Sequence, residues 1–193
     1  MQTPPVPVTA VDAAAACLEA FEPLGQRGEA AREHAMAYVA QHGAAALGRG
    51  LREHLTSSAL VLDAAGEHTL LCYHRKGGFW VQPGGHLDAT DPDLLAGALR
   101  EMREETGLER FLARGVSPVD IDRHALGDGF GSCTWHIDVG FVVVAHPADP
   151  LAVSHESTEV AWWPLDALPA GCVPGLAERL ERPRALVRSG LET

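Results

Sequence analysis

The run Gly84-Gly85-His86-Leu87-Asp88, followed by Arg100-Glu101-Met102-Arg103-Glu104-Glu105-Thr106-Gly107-Leu108, constrains this chain more than any other segment. It sets three carboxylates within one turn of a helix, just after a loop bracketed by glycines. Like charges three and four residues apart on a helix repel each other and destabilise it. A divalent cation relieves that conflict. A ligand set made only of hard oxygens calls for Mg²⁺ or Mn²⁺ rather than zinc or copper.

Helical geometry sharpens the reading. At about 100° per residue, Leu95, Ala98, Leu99 and Met102 fall on one apolar stripe with the spacing of a buried face. Glu101, Glu104 and Glu105 group roughly a quarter to half a turn away. Such a helix packs one face into a core and lines a cleft with the other. Arg100 stands one turn before Glu104, can pair with it, and would keep it ionised. Asp91 reads as the N-cap, Pro92 as the first helical residue and Asp93 as a first-turn carboxylate. Gly107 reads as the left-handed residue that stops the helix.

These residues resemble the signature of the Nudix hydrolases: glycine, five residues, glutamate, seven residues, then Arg-Glu-aliphatic-any-Glu-Glu-any-Gly-aliphatic. Arg100 to Leu108 matches the second half at every specified position. The first half departs from it. The interval from Gly85 to Arg100 is one residue longer than the pattern, and Pro92 stands eight before Arg100 where the pattern has Glu. With Asp91 assigned to capping, the extra residue reads as a lengthened loop and that position receives no catalytic role. The phrase Trp80-Val81-Gln82-Pro83-Gly84-Gly85-His86-Leu87-Asp88 is similar to a bacterial Nudix subgroup with Gln-Pro-Gly-Gly-His and Asp in place of Glu, a wording that transfers no substrate.

The resemblance implies an α/β/α sandwich with a mixed central sheet. It also implies a metal-dependent hydrolase that splits a diphosphate linkage in a nucleoside diphosphate joined to another moiety, by attack of water on phosphorus. Glu101, Glu104, Glu105 and the backbone carbonyl of Gly85 would then be ligands for Mg²⁺ or Mn²⁺. Arg100, Glu104, Glu105 and Glu156 are the expected catalytic residues, with Glu104 itself, or Glu156 or Glu159 from a loop outside the signature, as general base. His86, and His136 with Asp138 on one strand face, can either hydrogen-bond a phosphate or pin the loop. Arg75, in the cationic run His74-Arg75-Lys76-Gly77-Gly78, can meet a terminal phosphate or simply keep a hairpin end soluble. Among the aromatics, Trp135 and Trp162 are the candidates for base stacking. The competing reading is a non-hydrolytic Nudix-fold module that senses a nucleotide or sugar; retention of all three carboxylates speaks against it. A Nudix-related isopentenyl diphosphate isomerase needs a positioned cysteine, and Cys133 in Gly131-Ser132-Cys133-Thr134-Trp135 is a poor match.

Composition narrows the partners. A formal charge of -11 over 193 residues argues against a groove that follows long nucleic acid. It is compatible with a small phosphorylated substrate, because bound cations invert the local field. No apolar run approaches the roughly 20 residues that span a bilayer, and the N-terminus lacks the pattern of a signal peptide. Cys17, Cys72, Cys133 and Cys172 form no Cys-x-x-Cys pair. A cytoplasmic protein with reduced thiols is the expectation.

Along the chain, residues 1–8 read as a flexible tail and 9–55 as a helical N-terminal extension. Its helices are expected around Ala13 to Phe21, Glu29 to Gln41 and Leu47 to His54. That extension would be a packed addition, a lid or the contact of a homodimer, the first being favoured. Residues 56–193 read as the Nudix domain. Strands are expected at Ser58–Asp63, Thr69–His74, Phe79–Gln82, Asp120–Leu126, Thr134–Ala145 and Glu159–Trp163, with a turn over Gly127–Gly131 and a closing helix from Pro174 to Arg188.

Overall fold

The computed structural model describes residues 8–113, 115–127 and 132–190. The expected tail through residue 7 and most of the expected turn at 127–131 lie outside them. Two helices lead: α1 (Val8–Ala20) and α2 (Gly25–His42), followed by a 3-10 turn at Gly43–Leu47. Each buries small residues at every fourth position, Ala10, Ala14 and Leu18 on α1 and Ala31, Ala35 and Val39 on α2, the spacing of a single helix face. Arg32 of α2 donates to the carbonyls of Leu18 and Glu19 at 3.0 and 2.9 Å, serving acceptors at the end of α1.

The expected helix at Leu47–His54 is not formed. The chain enters β1 (Glu53–Leu62), whose residues pair in parallel with β7 (Trp135–Ala145) from Glu53↔Trp135 to Leu62↔Val144. Ten ladder pairs outweigh the local helix preference of Leu, Arg and Glu, as tertiary context commonly does. Around this pair run antiparallel neighbours. β2 (His68–His74) meets the end of β1 and pairs with β3 (Phe79–Val81) and β8 (Ser157–Pro164). β4 (Gly84–His86) lies against the start of β1. β5 (Phe111–Ala113) and β6 (Asp120–Ala125) flank opposite halves of β7. The result is one eight-stranded mixed sheet.

Helices cover both faces. α3 (Leu94–Thr106) packs Met102 against Ala59, Val61 and Val143, and the leading helices share a core with Leu55, Ile137, Val139 and Phe141. On the other face, α4 (Leu176–Ser189) sets Leu176, Leu180 and Val187 over Leu60, Leu62, Val142 and Val144. That second face changes character along its length. Following the two-residue period of a strand, β1 runs His54, Thr56, Ser58, then Leu60 and Leu62; β7 runs His136, Asp138, Gly140, then Val142 and Val144. The apolar half is covered by α4, and the polar half opens into a cavity.

Two details of α3 differ from expectation. Its N-cap is Asp93, which accepts from the Ala96 amide at 2.8 Å, so Pro92 lies before the helix rather than in its first turn. Asp91, freed from capping, is buried and accepts from the Asp88 amide at 2.7 Å and from the Arg100 guanidinium at 2.8 Å. The helix ends as expected at Gly107, left-handed at φ 67°.

Candidate functional site

Two glycines let α3 approach the sheet. A methyl group at Gly84 would stand 2.5 Å from Ser58 Cβ, and one at Gly85 would stand 2.9 Å from the Glu101 carboxyl group. Gly84 meets Ser58 and the Ser57 carbonyl and admits no side chain, while a side chain at Gly85 would displace the Glu101 carboxylate. The Glu101 carboxylate thus lies directly against the Gly85 backbone. Gly84 donates its amide to Glu105 Oε2 at 2.8 Å, which brings Glu105 under the loop.

The three glutamates differ sharply in setting. Glu105 is 7% exposed, and its pKa is pushed up to about 8, first by burial and then by Glu101, Glu156 and Glu104, the Gly84 amide acting the other way. Burial likewise raises Glu101, against the pull of Arg100. Glu104 is mostly in solvent, its side chain 60% exposed. Arg100 fastens the group. It reaches Glu101 at 3.0 Å, Glu104 at 3.2 Å and the carbonyl of His86 at 2.9 Å, while Asp91 clamps its other edge. Five residues separate Gly85 from Asp91, the spacing of the motif, so the residue added to the motif falls between Asp91 and Arg100. The position given no role in the motif therefore fixes the arginine.

A cavity of about 450 Å³ adjoins this corner, lined by Gly85, His86, Glu105, His136, Asp138 and Glu156 among others. The volume suits a small organic ligand, for which roughly 300–1,000 Å³ is usual. Arg179 is the one Lys or Arg among the described lining residues, and it is already engaged. Its side chain is 2% exposed and donates to Asp120 at 2.5 Å and to Asp138 at 2.7 Å, with Asp122 at 3.7 Å. Despite complete burial, Asp138 stays below the ordinary carboxylate range, because Arg179, His124 and Ser58 offset desolvation. It also accepts from Thr56 at 3.0 Å, Ser58 at 2.7 Å and Gln82 at 3.0 Å. Its acceptor capacity goes to holding Gln82, and with it the start of the Pro-Gly-Gly loop.

Of the expected site residues, Gly85, Arg100, Glu101, Glu104 and Glu105 converge on one corner, and His86, His136 and Glu156 line the adjoining cavity. Arg75 does not line it: its guanidinium donates to the carbonyls of His155 and Ser157 at 3.1 and 2.9 Å, bracing the loop that carries Glu156. Glu159 sits on β8 opposite Tyr73, away from the cavity. Neither candidate tryptophan faces it. Trp135 lies under the Arg123 guanidinium, 3.9 Å from ring centre to carbon, and Trp162 packs in the core beside α3. The flat surface in the cavity is Phe79, stacked at 5.5 Å on His74. Burial raises the Cys133 thiol, which makes it a poor nucleophile.

The corner offers four oxygen donors with surplus negative charge and no cation to spare. Its all-oxygen chemistry and the close approach of the Glu101 carboxylate to the Gly85 backbone fit a hard divalent ion.

Comparison with known proteins agrees. The model of the NUDIX domain matches residues 52–183, more than half of the chain. The chain belongs to the Nudix family. A NUDIX-family hydrolase from Clostridium perfringens superposes with a TM-score of 0.57 at 18% identity, covering 69% of this chain and 97% of its own. The C. elegans Ap4A hydrolase binary complex gives 0.57 at 18% identity, covering 70% and 98%. The Nudix hydrolase RenU from M. smegmatis gives 0.51 at 22%, covering 70% and 86%. At such identities the likeness concerns the fold. A sequence comparison with curated proteins gives no match. This Nudix chain is a pyrophosphohydrolase by family, with α1 and α2 preceding the matched span. No helix among its described residues is long and apolar enough to cross a membrane.

Proposed function

We propose that this Nudix enzyme hydrolyses the diphosphate linkage of a nucleoside diphosphate joined to another moiety, with Mg²⁺ or Mn²⁺ held by the Gly85 carbonyl, Glu101, Glu104 and Glu105. The observation that carries the reading is Glu105, a buried carboxylate without a cationic partner of its own among the described residues, lining a cavity whose one described arginine is committed elsewhere. An anionic substrate entering there meets Glu105, Glu156, Asp122 and Asp138, and needs added positive charge to stay. When bound, a divalent ion neutralises diphosphate oxygens and lowers the pKa of a water molecule.

The protein's own groups supply the rest. Arg100 and Asp91 hold the rotamers of Glu101 and Glu104 and keep the His86–Leu87 peptide against α3. Glu104, exposed and tied by one ion pair, is free to take a proton from water at its carboxylate. Glu156, across the cavity and largely solvent-exposed, is the second candidate base. Phe79 on His74 offers a face for the nucleobase, and His86 and His136 offer ring nitrogens to phosphate oxygens. Residues 9–55 act as an integral packed extension, and the free thiols suit a cytoplasmic setting.

A panel of nucleoside triphosphates, dinucleoside polyphosphates, nucleotide sugars, ADP-ribose and dinucleotide cofactors, assayed with Mg²⁺ and added phosphatase, tests this. Phosphate release from at least one member is expected. Tight binding of a member with no turnover of any would overturn it in favour of a sensing module.

A further inference from the structure

The histidines are not fully used by the reading above. His54 on β1 lies directly opposite His136 on β7, and His86 on β4 lies opposite Thr56, two residues along the same face of β1. Three adjacent strands therefore project three imidazoles to one place. Ring centres stand 4.8 Å apart for His54 and His86, 5.0 Å for His54 and His136, and 5.2 Å for His86 and His136. One nitrogen from each ring lies within 4.8 Å of the other two. We propose that His54, His86 and His136 form a three-imidazole site for a zinc-class divalent ion, distinct from the carboxylate corner, with its remaining coordination position open to the cavity.

The neighbouring polar groups leave this cluster without another occupation. Nε2 of His136 is buried and has no hydrogen-bond partner among the described residues. Burying such a nitrogen unpaired is costly, and the great majority of buried polar atoms do have partners. The nearest carboxylates are spent: Asp138 serves Arg179, Thr56, Ser58 and Gln82, and Asp122 accepts from Arg27 and faces His124 at 3.0 Å. His54 is 1% exposed; its Nδ1 faces the Leu51 carbonyl at 3.4 Å, and the Cys133 sulfur lies 3.6 and 3.8 Å from its two ring nitrogens, contacts longer and weaker than a metal bond. Backbone contacts of this kind orient histidines that bind metal through the other nitrogen. Burial, and after it the charge of Arg49 at His54 and the His54 and His124 rings at His136, lower both histidines and favour neutral imidazole, the form that offers a lone pair.

Ligand chemistry then selects the ion. Nitrogen donors suit zinc and late first-row metals and are poor for Mg²⁺ or Ca²⁺. Nitrogens 4.8 Å apart would each lie about 2.8 Å from a common centre, so inward shifts under about 1 Å reach the 2.0–2.1 Å of a zinc–imidazole bond. Three protein ligands leave a position for water or an anionic oxygen, as in zinc sites that handle ligands rather than purely structural ones. His86 and His136 line the cavity while His54 sits behind them, so that open position faces the same space as Glu105.

Calorimetric titration of metal-free, full-length protein with Zn²⁺, under saturating Mg²⁺, tests the site without relying on turnover. One Zn²⁺ per chain is expected, and Co²⁺ in its place should give the strong visible band of a tetrahedral nitrogen site. His136→Ala should weaken Zn²⁺ binding by at least about 100-fold, since even loss of an outer partner costs about 10–100-fold. Glu105→Gln should leave it unchanged. If circular dichroism shows His136→Ala to be unfolded, His86→Gln on the half-buried β4 strand carries the same expectation. Absence of Zn²⁺ binding, retention of full affinity in the folded histidine variant, or loss of affinity in Glu105→Gln would each overturn the proposal.

Discussion

Two trios of carboxylates reach the same cavity, one through Asp122 and Asp138 and the other through Glu105, and they are neutralised in opposite ways. On one side, Asp120, Asp122 and Asp138 surround Arg179, a buried cation supplied by α4. On the other, Glu101, Glu104 and Glu105 share Arg100 at their edge, and the most buried member gains only a backbone amide. The first arrangement holds Asp122 and Asp138 below their ordinary pKa, although desolvation still raises Asp120. The second leaves Glu105 with a pKa near 8. A built-in cation makes a structural network. A missing one leaves negative potential available to a bound ion, and that difference separates scaffold from site within one pocket.

The contrast breaks most visibly at Glu105. In steady-state assays with Mg²⁺, Glu105→Gln and Glu104→Gln should lower kcat by about 10²–10⁴-fold or more, the range for a positioned acid–base group. Chelation of divalent ions should abolish turnover in the parent enzyme. Normal turnover in both variants would remove the mechanism. Arg179→Met is the reciprocal experiment. It leaves Asp138 buried without its partner, and urea unfolding should show a loss of about 3–5 kcal/mol.

Stability as a function of pH sharpens the comparison. The folded pKa of Glu105 is raised from 4.5 to about 8, so the folded state holds that proton more tightly than the unfolded chain does. Without divalent ions, its contribution to stability should fall as pH rises from about 4.5 towards 8, and Mg²⁺ should flatten that slope. For Asp122 the sign reverses. Its pKa is depressed by His124, Arg179 and Arg27 against burial, so its stabilisation is present above the ordinary 3.8 and lost as pH falls through the folded value. Thermal melts from about pH 2 to 9, with and without Mg²⁺, separate the two, the Asp122 loss beginning below about pH 3.8 (about 1.4 kcal/mol per pKa unit). A smaller change is expected from Asp93→Ala, about 1 kcal/mol from the lost cap of α3, while Asp91→Ala should act on turnover by loosening Arg100.

What could be read from the sequence follows the range of the interactions. The face of α3, its stop at Gly107 and the strand leading into the Pro-Gly-Gly run are set within one or two turns of chain and formed where the pattern placed them, whereas Gly84–His86, read as loop, pairs with β1 as a strand. The N-cap failed by two residues because Asp91 and Asp93 both suit the position locally, and only the distant claim of Arg100 on Asp91 decides between them. β1 began earlier than its composition suggested, since its start is held by pairing with β7 more than 80 residues away. Arg179 left a faint mark, one charge among the apolar Leu176, Leu180 and Val187 of α4. Its partners lie 41 and 59 residues off, so no local pattern could join them. His54 was missed with β1, and with it the imidazole cluster.

The leading helices carry a practical consequence. Ala14, Leu18, Phe21, Ala35 and Val39 pack in the same interior as Leu55, Ile137 and Phe141, and the Tyr38 hydroxyl donates to the Glu53 carbonyl at 2.6 Å, one residue before His54. Trimming the gene to the family-matched portion would peel a greasy wall off the sheet and loosen the first strand at its root. A shortened clone should therefore come out sticky and poorly expressed.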